Sequence, residues 1–307
     1  MHDPETQERS PTEATQETSK LRRVARVVRG APFHWVGDGF RVSNYFPGDR
    51  ELLSRVSPFF LLDYGPPRTV PASKQTRGVG PHPHRGFETV TLAFAGSVAH
   101  HDSAGNSGVI GPGDVQWMTA GSGILHKEYM EQKFSESGGE MHMLQLWVNL
   151  PAKDKMTAPK YQAITREQLG QSDAAGVKVR VVAGEYRGVR GPAFTHTPIN
   201  LYTVELQAGA SFEARLSAAH NTGLLVTGGS LSINGTQSAE HLDFVLLENE
   251  AGLVRVVADT ACSFVLMSGE PINEPIAHYG PFVMNTREEL EQTIADFNRG
   301  KFGDLDE

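Results

Sequence analysis

Apolar residues along this chain fall in short runs bounded by turn formers. Phe59-Phe60-Leu61-Leu62, Val90 to Phe94 and Met141 to Val148 are each closed off by Gly, Pro, Asn or Asp, the pattern of strands joined by tight turns. The texture resumes with Val177 to Val182, Leu201 to Leu206, Gly223 to Val226, Phe244 to Leu247, Val254 to Val257 and Phe264 to Met267. Between the two sets lies a polar stretch, Pro151 to Gln171, where Thr165 and Gln168 predict the capping box of a short helix. A helical period is clear near the C-terminus: Thr286 and Glu289 form a second capping box, and Leu290, Ile294 and Phe297 recur at i, i+4 and i+7. They predict an amphipathic helix whose apolar stripe lies against a barrel. Met1 to Lys20 has no large apolar side chain after Met1, so it cannot offset the entropy cost of ordering. The pattern predicts an all-β protein of two similar barrels: a flexible tail over 1–22, an N-terminal domain over 23–150, a linker over 151–171, and a C-terminal domain over 172–307 ending in an α-helix.

Composition narrows the function. A length of 307 residues suits two domains. The formal charge of −8 argues against a protein that grips phosphate backbones, so direct nucleic-acid binding is not expected. There is no 18-residue apolar run and no signal-peptide core, so neither a membrane span nor export is expected and the location read is cytoplasmic. The single cysteine, Cys262, can form neither an internal disulfide nor a thiolate cluster, and its apolar setting (ACSFVLM) makes it a buried small hydrophobe. Any metal site must therefore use histidine and carboxylate.

Those residue types converge in two segments. GPHPHRGFETVT carries His82 and His84 two apart, so in a strand both point to one side and can share a metal; by the same parity Glu88 faces that side if the strand stays regular. About forty residues on, GDVQWMTAGSGILHKE supplies His126 and Glu128 at the same spacing. Three imidazoles and one carboxylate suit Fe, Ni, Cu, Mn or Zn. With 12 histidines in 307 residues, chance alone gives about 0.5 His-x-His pairs. The weight rests on the joint order, His-x-His, Glu88, then Gly96, Gly113, Gly121 and His126, which resembles the two-part cupin signature.

HPHRGFETVT, GDVQWMTAGSGILHKE, LQLWVNLP and HYGPFVMNT together are similar to pirins, the bicupin family that includes bacterial quercetin 2,3-dioxygenases and a nuclear co-regulator of animals. The likeness runs from about Val24 to the C-terminal helix. It implies two jelly-roll barrels and one metal per chain, Fe(II) first and Ni, Cu, Mn or Zn next. The implied ligands are His82, His84, His126 and Glu128. A general cupin reading would choose Glu88; the pirin pattern selects Glu128 and leaves Glu88 as an inward-facing supporting group or base. The C-terminal barrel, with His220 but no His-x-His, is expected to hold no metal. The implied activity is flavonol ring opening by O2 with release of carbon monoxide, Glu128 or Glu88 taking the substrate proton. The alternative is a non-enzymatic, iron-responsive regulator that works through a protein partner. A monomer is expected.

The remaining candidates have plainer readings. His100 and His101, just before the turn DSAGNSG, read as hairpin-end residues; His142, alternating with Leu144 and Leu146, reads as a core histidine facing the barrel interior; His278 reads as part of the join to the C-terminal helix. Trp117, Trp147 and Phe59-Phe60 read as aromatic core, one of which could line a pocket.

Overall fold

The computed structural model describes residues 20–305. Each apolar run named above lies within a strand, and the strands assemble into two barrels built alike, each a seven-stranded sheet closed by a four-stranded one. In the N-terminal barrel the large sheet runs Lys160–Ile164, Val115–Thr119, Phe87–Ala95, Gly139–Asn149, Phe59–Val70, Phe40–Phe46 and Phe33–Val36. The small sheet runs Gly78–His84, Ile124–Met130, Val98–Asp102 and Ser107–Ile110. The C-terminal barrel closes Ser211–Arg215, Leu253–Ala258, Ser230–Ile233 and Gln237–Glu240 over a large sheet centred on Cys262–Gly269.

The large sheets face each other. One apolar cluster takes Leu62, Val90, Leu92, Leu144, Leu146 and Trp117 from the first and Leu201, Leu225, Phe244, Leu246, Val265 and Met267 from the second. Strand parity therefore has a different meaning from that expected for His142. It does share a face with Leu144 and Leu146, but that face looks toward the other domain, where the buried Tyr64 hydroxyl meets His142 Nε2 at 2.9 Å and His241 Nε2 at 3.3 Å.

The domain limits also differ from the sequence reading, because strand pairing ignores chain order. Val24–Arg29 pairs with Asp243–Leu247 in the C-terminal sheet, and Lys160–Ile164, inside the expected linker, pairs with Val115–Thr119 in the N-terminal one. Of the expected 1–22 tail, residues 1–19 lie outside the described residues. Leu21 already bridges to Leu253, and the buried Arg22 guanidinium donates to the carbonyls of Ser217, His220 and Glu248. Thr165 and Gln168 make half a capping box, the Gln168 amide oxygen accepting from the Thr165 N–H. The segment closes as a turn, since the chain enters the strand Gly170–Ala174 within two residues.

The helix Arg287–Asn298 forms with both bonds of its capping box. It returns to the N-terminal barrel, and polar residues hold it there: Thr293 and Asp296 are its buried positions, with Asp296 paired to Arg85 at 3.0 Å, whereas Phe297 is 37% exposed. The expected apolar stripe is thus only part of the contact. Nearby, the buried Lys155 ammonium donates to the carbonyls of Gly86 (2.9 Å) and Val283 (2.7 Å) and to Asn149 Oδ1 (2.7 Å), pinning the hairpin after the second barrel to the turn after His84. Three donors meet three acceptors, so Lys155→Met leaves them unsatisfied and is expected to cost on the order of 2 kcal/mol in chemical denaturation. Burial pushes this amine from 10.5 down to about 7. The unfolded chain then binds more protons between those limits, so the contribution of Lys155 to stability rises with pH across that window, a slope the methionine variant should lack.

Candidate metal centre

The small N-terminal sheet builds the site from three adjacent strands. In the central strand, Ile124–Met130, His126 stands opposite His82 on one side and Asp102 on the other, and Glu128 stands opposite His100. His82, His84 and His126 converge, with ring centroids 4.3 to 4.8 Å apart. One ligand nitrogen from each lies within 4.8 Å of the other two, and His100, His126 and Glu128 form a second such group that shares His126. Glu128 is thus brought to His126 but grouped with His100. Among the described residues both groups lie in the N-terminal barrel.

A metal fits the first group on its donor atoms. His84 Nδ1 and His126 Nε2 are buried and have no hydrogen-bond partner, a cost that coordination would remove. Burial, with the neighbouring imidazoles adding to it, pushes both rings well below the usual histidine range, which keeps them neutral as ligation requires. The outward nitrogens are occupied: His82 Nδ1 lies 2.8 Å from the Gly80 carbonyl, His84 is held by the Pro281 carbonyl, and His126 Nδ1 lies 3.4 Å from His100 Nδ1.

Glu128 is buried and held by the large sheet. Its Oε1 accepts from Gln116 Nε2 (2.8 Å) and Thr91 Oγ1 (3.4 Å), and its Oε2 from Gln145 Nε2 (2.8 Å). Phe87 and Trp147 stand against His84 at 5.0 and 5.3 Å, and Phe60 backs Trp147. The indole N–H of Trp147 has no partner among the described residues.

Glu88 is not brought to this centre. His84 and Glu88 belong to different sheets, and the chain crosses between them at Arg85 and Gly86. Gly86 has φ +88°, and a Cβ there would overlap the Val283 carbonyl oxygen, so only glycine makes the turn. Parity is lost across it. Phe87 and Thr91 face the histidines, whereas Glu88 shares the opposite face with Val90 and Leu92. It accepts from Thr119 Oγ1 at 2.6 Å and lies 3.9 Å from His196 Nε2. Burial there pushes its carboxyl up to about 7.

The residue that sequence reasoning missed is His100. It does stand at the end of the hairpin, opposite Gly108, as expected, but it is fully buried, bonded through Nε2 to Asp102 at 3.2 Å and stacked on Tyr161. The pattern was available: His100-x-Asp102 repeats the spacing of His82-x-His84 and His126-x-Glu128 on a neighbouring strand. His278 packs edge-on to Phe60 at 4.8 Å and contributes no ligand atom to either group.

Cys262 is buried in the C-terminal core, and burial pushes its thiol up to about 11. Cys262→Ala is expected to leave metal content unchanged. A large loss of metal at unchanged folding would contradict the site described here. Two cavities, of about 610 and 450 Å³, lie beside Cys262 and between the large sheets near His142, and neither is lined by His82, His84, His126 or Glu128.

Two β-barrels in one chain, the first with inward histidines on adjacent strands, define a bicupin with a candidate metal centre. Residues 39–148 match the pirin family model, and residues 201–303 match that of the pirin C-terminal cupin domain. A crystal structure of a quercetin 2,3-dioxygenase from Acinetobacter baumannii is 44% identical, covers 93% of this chain and all of that one, and superposes with a TM-score of 0.89. A pirin-like protein of Caulobacter vibrioides is 40% identical over 285 residues, 92% of this chain and 99% of that protein. A bacterial pirin of Escherichia coli, solved in complex with nickel(II), shares the fold at 21% identity and a TM-score of 0.61, covering 80% of this chain and all of its own. This chain belongs to the pirin family.

Proposed function

We propose that the chain is a metal-dependent dioxygenase that opens the ring of a flavonol such as quercetin with O2, releasing carbon monoxide. The observation that carries this reading is the pair of buried, partnerless nitrogens on His84 and His126 facing a third imidazole, beside a carboxylate with spare acceptor capacity. The 44% identical dioxygenase of A. baumannii supports it. In this reading His82, His84 and His126 hold one divalent transition metal, iron(II) first, with Glu128 as the fourth ligand or the base. When bound, the metal supplies Lewis acidity toward the flavonol 3-hydroxyl and open positions for substrate oxygen and O2.

The chain's own groups supply the rest. A carboxylate offers about four lone-pair sites, and Glu128 uses three on Gln116, Gln145 and Thr91. One remains for the flavonol hydroxyl proton, and the two amides hold the carboxylate in place to receive it. Trp147 and Phe87 form an aromatic wall beside His84 for a flat substrate. The free Trp147 N–H is a donor for a substrate carbonyl.

Oxygen uptake by iron-loaded protein across a panel of flavonols tests the proposal. Substrate-dependent consumption with one equivalent of carbon monoxide is the expected result. If fully loaded protein consumes no oxygen with any flavonol, the iron-responsive regulator becomes the better reading.

A further inference from the structure

The three histidines keep their inward nitrogens bare in different ways. His82 donates to a carbonyl and His84 is tied to one; a carbonyl only accepts, so the outward nitrogen carries the proton and the inward one is free. The partner of His126 Nδ1 is His100 Nδ1, and an imidazole nitrogen can donate or accept. Nothing in that contact fixes which nitrogen of His126 is bare.

The geometry points to Asp102 as the residue that decides it, through His100. This rests on the proposal that His126 is a metal ligand. Asp102 Oδ1 accepts from the backbone N–H groups of Ala104 and Asn106 and from Asn106 Nδ2. Its Oδ2 accepts from Asn106 Nδ2 and faces His100 Nε2 at 3.2 Å. A carboxylate so engaged can only accept, so His100 carries its proton on Nε2 and leaves Nδ1 bare. His126 must then donate from Nδ1, and its Nε2 is left without a proton, buried and without a partner, toward His82 and His84. Orientation of a metal-bound histidine through its far nitrogen is usually worth 10- to 100-fold in affinity or activity, so ~10- to 100-fold is the expected scale here. Asp102 and His100 are positioning residues: they act on His126 and touch neither metal nor substrate.

The cross-strand register places them for this role. Asp102 stands directly opposite His126, and His100 opposite Glu128, so the His100 ring reaches His126 along the diagonal. Tyr161 stacks on the far face of His100 at 4.8 Å and 19°, which holds the ring plane.

Asp102→Asn is the informative variant. The asparagine oxygen keeps the three bonds that Ala104 and Asn106 give to Oδ1, so the turn survives with only the Asn106 Nδ2 contact to Oδ2 lost, while its amide presents a donor to His100 Nε2. His100 then protonates at Nδ1, donates to His126 Nδ1, and drives the His126 proton onto Nε2, where the metal would bind. Long-range ¹H–¹⁵N NMR of histidine-labelled, metal-free protein should show His126 protonated at Nδ1 in the wild type and at Nε2 in Asp102→Asn. Competition titration with nickel(II) should show ~10- to 100-fold weaker binding by the variant. His100→Gln, whose side-chain oxygen can accept from His126 Nδ1 while its amide donates to Asp102, should keep the Nδ1 tautomer and most of the affinity. A variant that keeps the Nδ1 tautomer and wild-type nickel affinity overturns the proposal. So does His100→Gln losing more nickel than His82→Ala, which would place the ion in the His100, His126 and Glu128 group. The tautomer is read without metal, so wild type that shows the expected tautomer but binds no nickel would sink the metal assignment and leave the tautomer assignment standing.

Discussion

Removal of the His84 imidazole is expected to empty the metal centre. His84 is buried at the join of the two N-terminal sheets, flanked by Phe87 and Trp147, and its Nδ1 has no other partner. Alanine takes away one of three converging nitrogens and leaves none of its own in reach of the ion. The loss of affinity should exceed the ~10- to 100-fold that follows from removing a group that merely orients a ligand. Elemental analysis should give about one metal per wild-type chain and a small fraction of that in His84→Ala; a full complement in the variant would refute the assignment. The pH dependence has a definite sign. Burial lowers the pKa of His84 and His126, so the neutral, ligating form persists below the usual histidine range. Metal content should fall with acid, and the lowered pKa of His84 and His126 should delay that fall relative to ordinary imidazole ligands.

Glu128→Gln should cost about 10²- to 10⁴-fold in flavonol-dependent oxygen uptake per bound metal, the usual effect of losing a general base. The surroundings of Glu128 make the substitution severe despite its matched size. Gln116 and Gln145 both present amide N–H groups to the carboxylate, and the Gln116 oxygen is engaged by Tyr161. A glutamine amide therefore meets a donor with a donor on one side. Glu88→Gln is the contrast. Glu88 faces the other domain, so metal content and turnover per metal should stay near wild type. If Glu128→Gln keeps its turnover and Glu88→Gln loses it, the base has been misassigned.

Much of the candidate site was legible because β-structure is a two-residue code. His82-x-His84 and His126-x-Glu128 must each present both side chains on one face, and the pirin-like strings around them select the histidines that converge. The same code failed at Glu88 because parity holds only within one strand. The turn at Gly86, where a Cβ would overlap the Val283 carbonyl, resets it, and Val283 lies nearly 200 residues away in sequence. His142 shows a related limit. Alternation placed it correctly with Leu144 and Leu146, but which side of the sheet is barrel interior and which is domain interface depends on where the second sheet packs.

By itself, the sequence determined the strand-rich texture, the two barrels, the capped terminal helix and the histidine-carboxylate chemistry, since turn residues, side-chain alternation and a single cysteine act locally. Tertiary structure alone decided which strands pair. Val24–Arg29 joins the C-terminal sheet, and the helix Arg287–Asn298 returns to the N-terminal barrel to meet Arg85. It also buried the hairpin-end residue His100 against His126, with Asp102 bonded behind it. These outcomes depend on register between distant strands, fixed by the fit of whole faces and absent from any local pattern of residues.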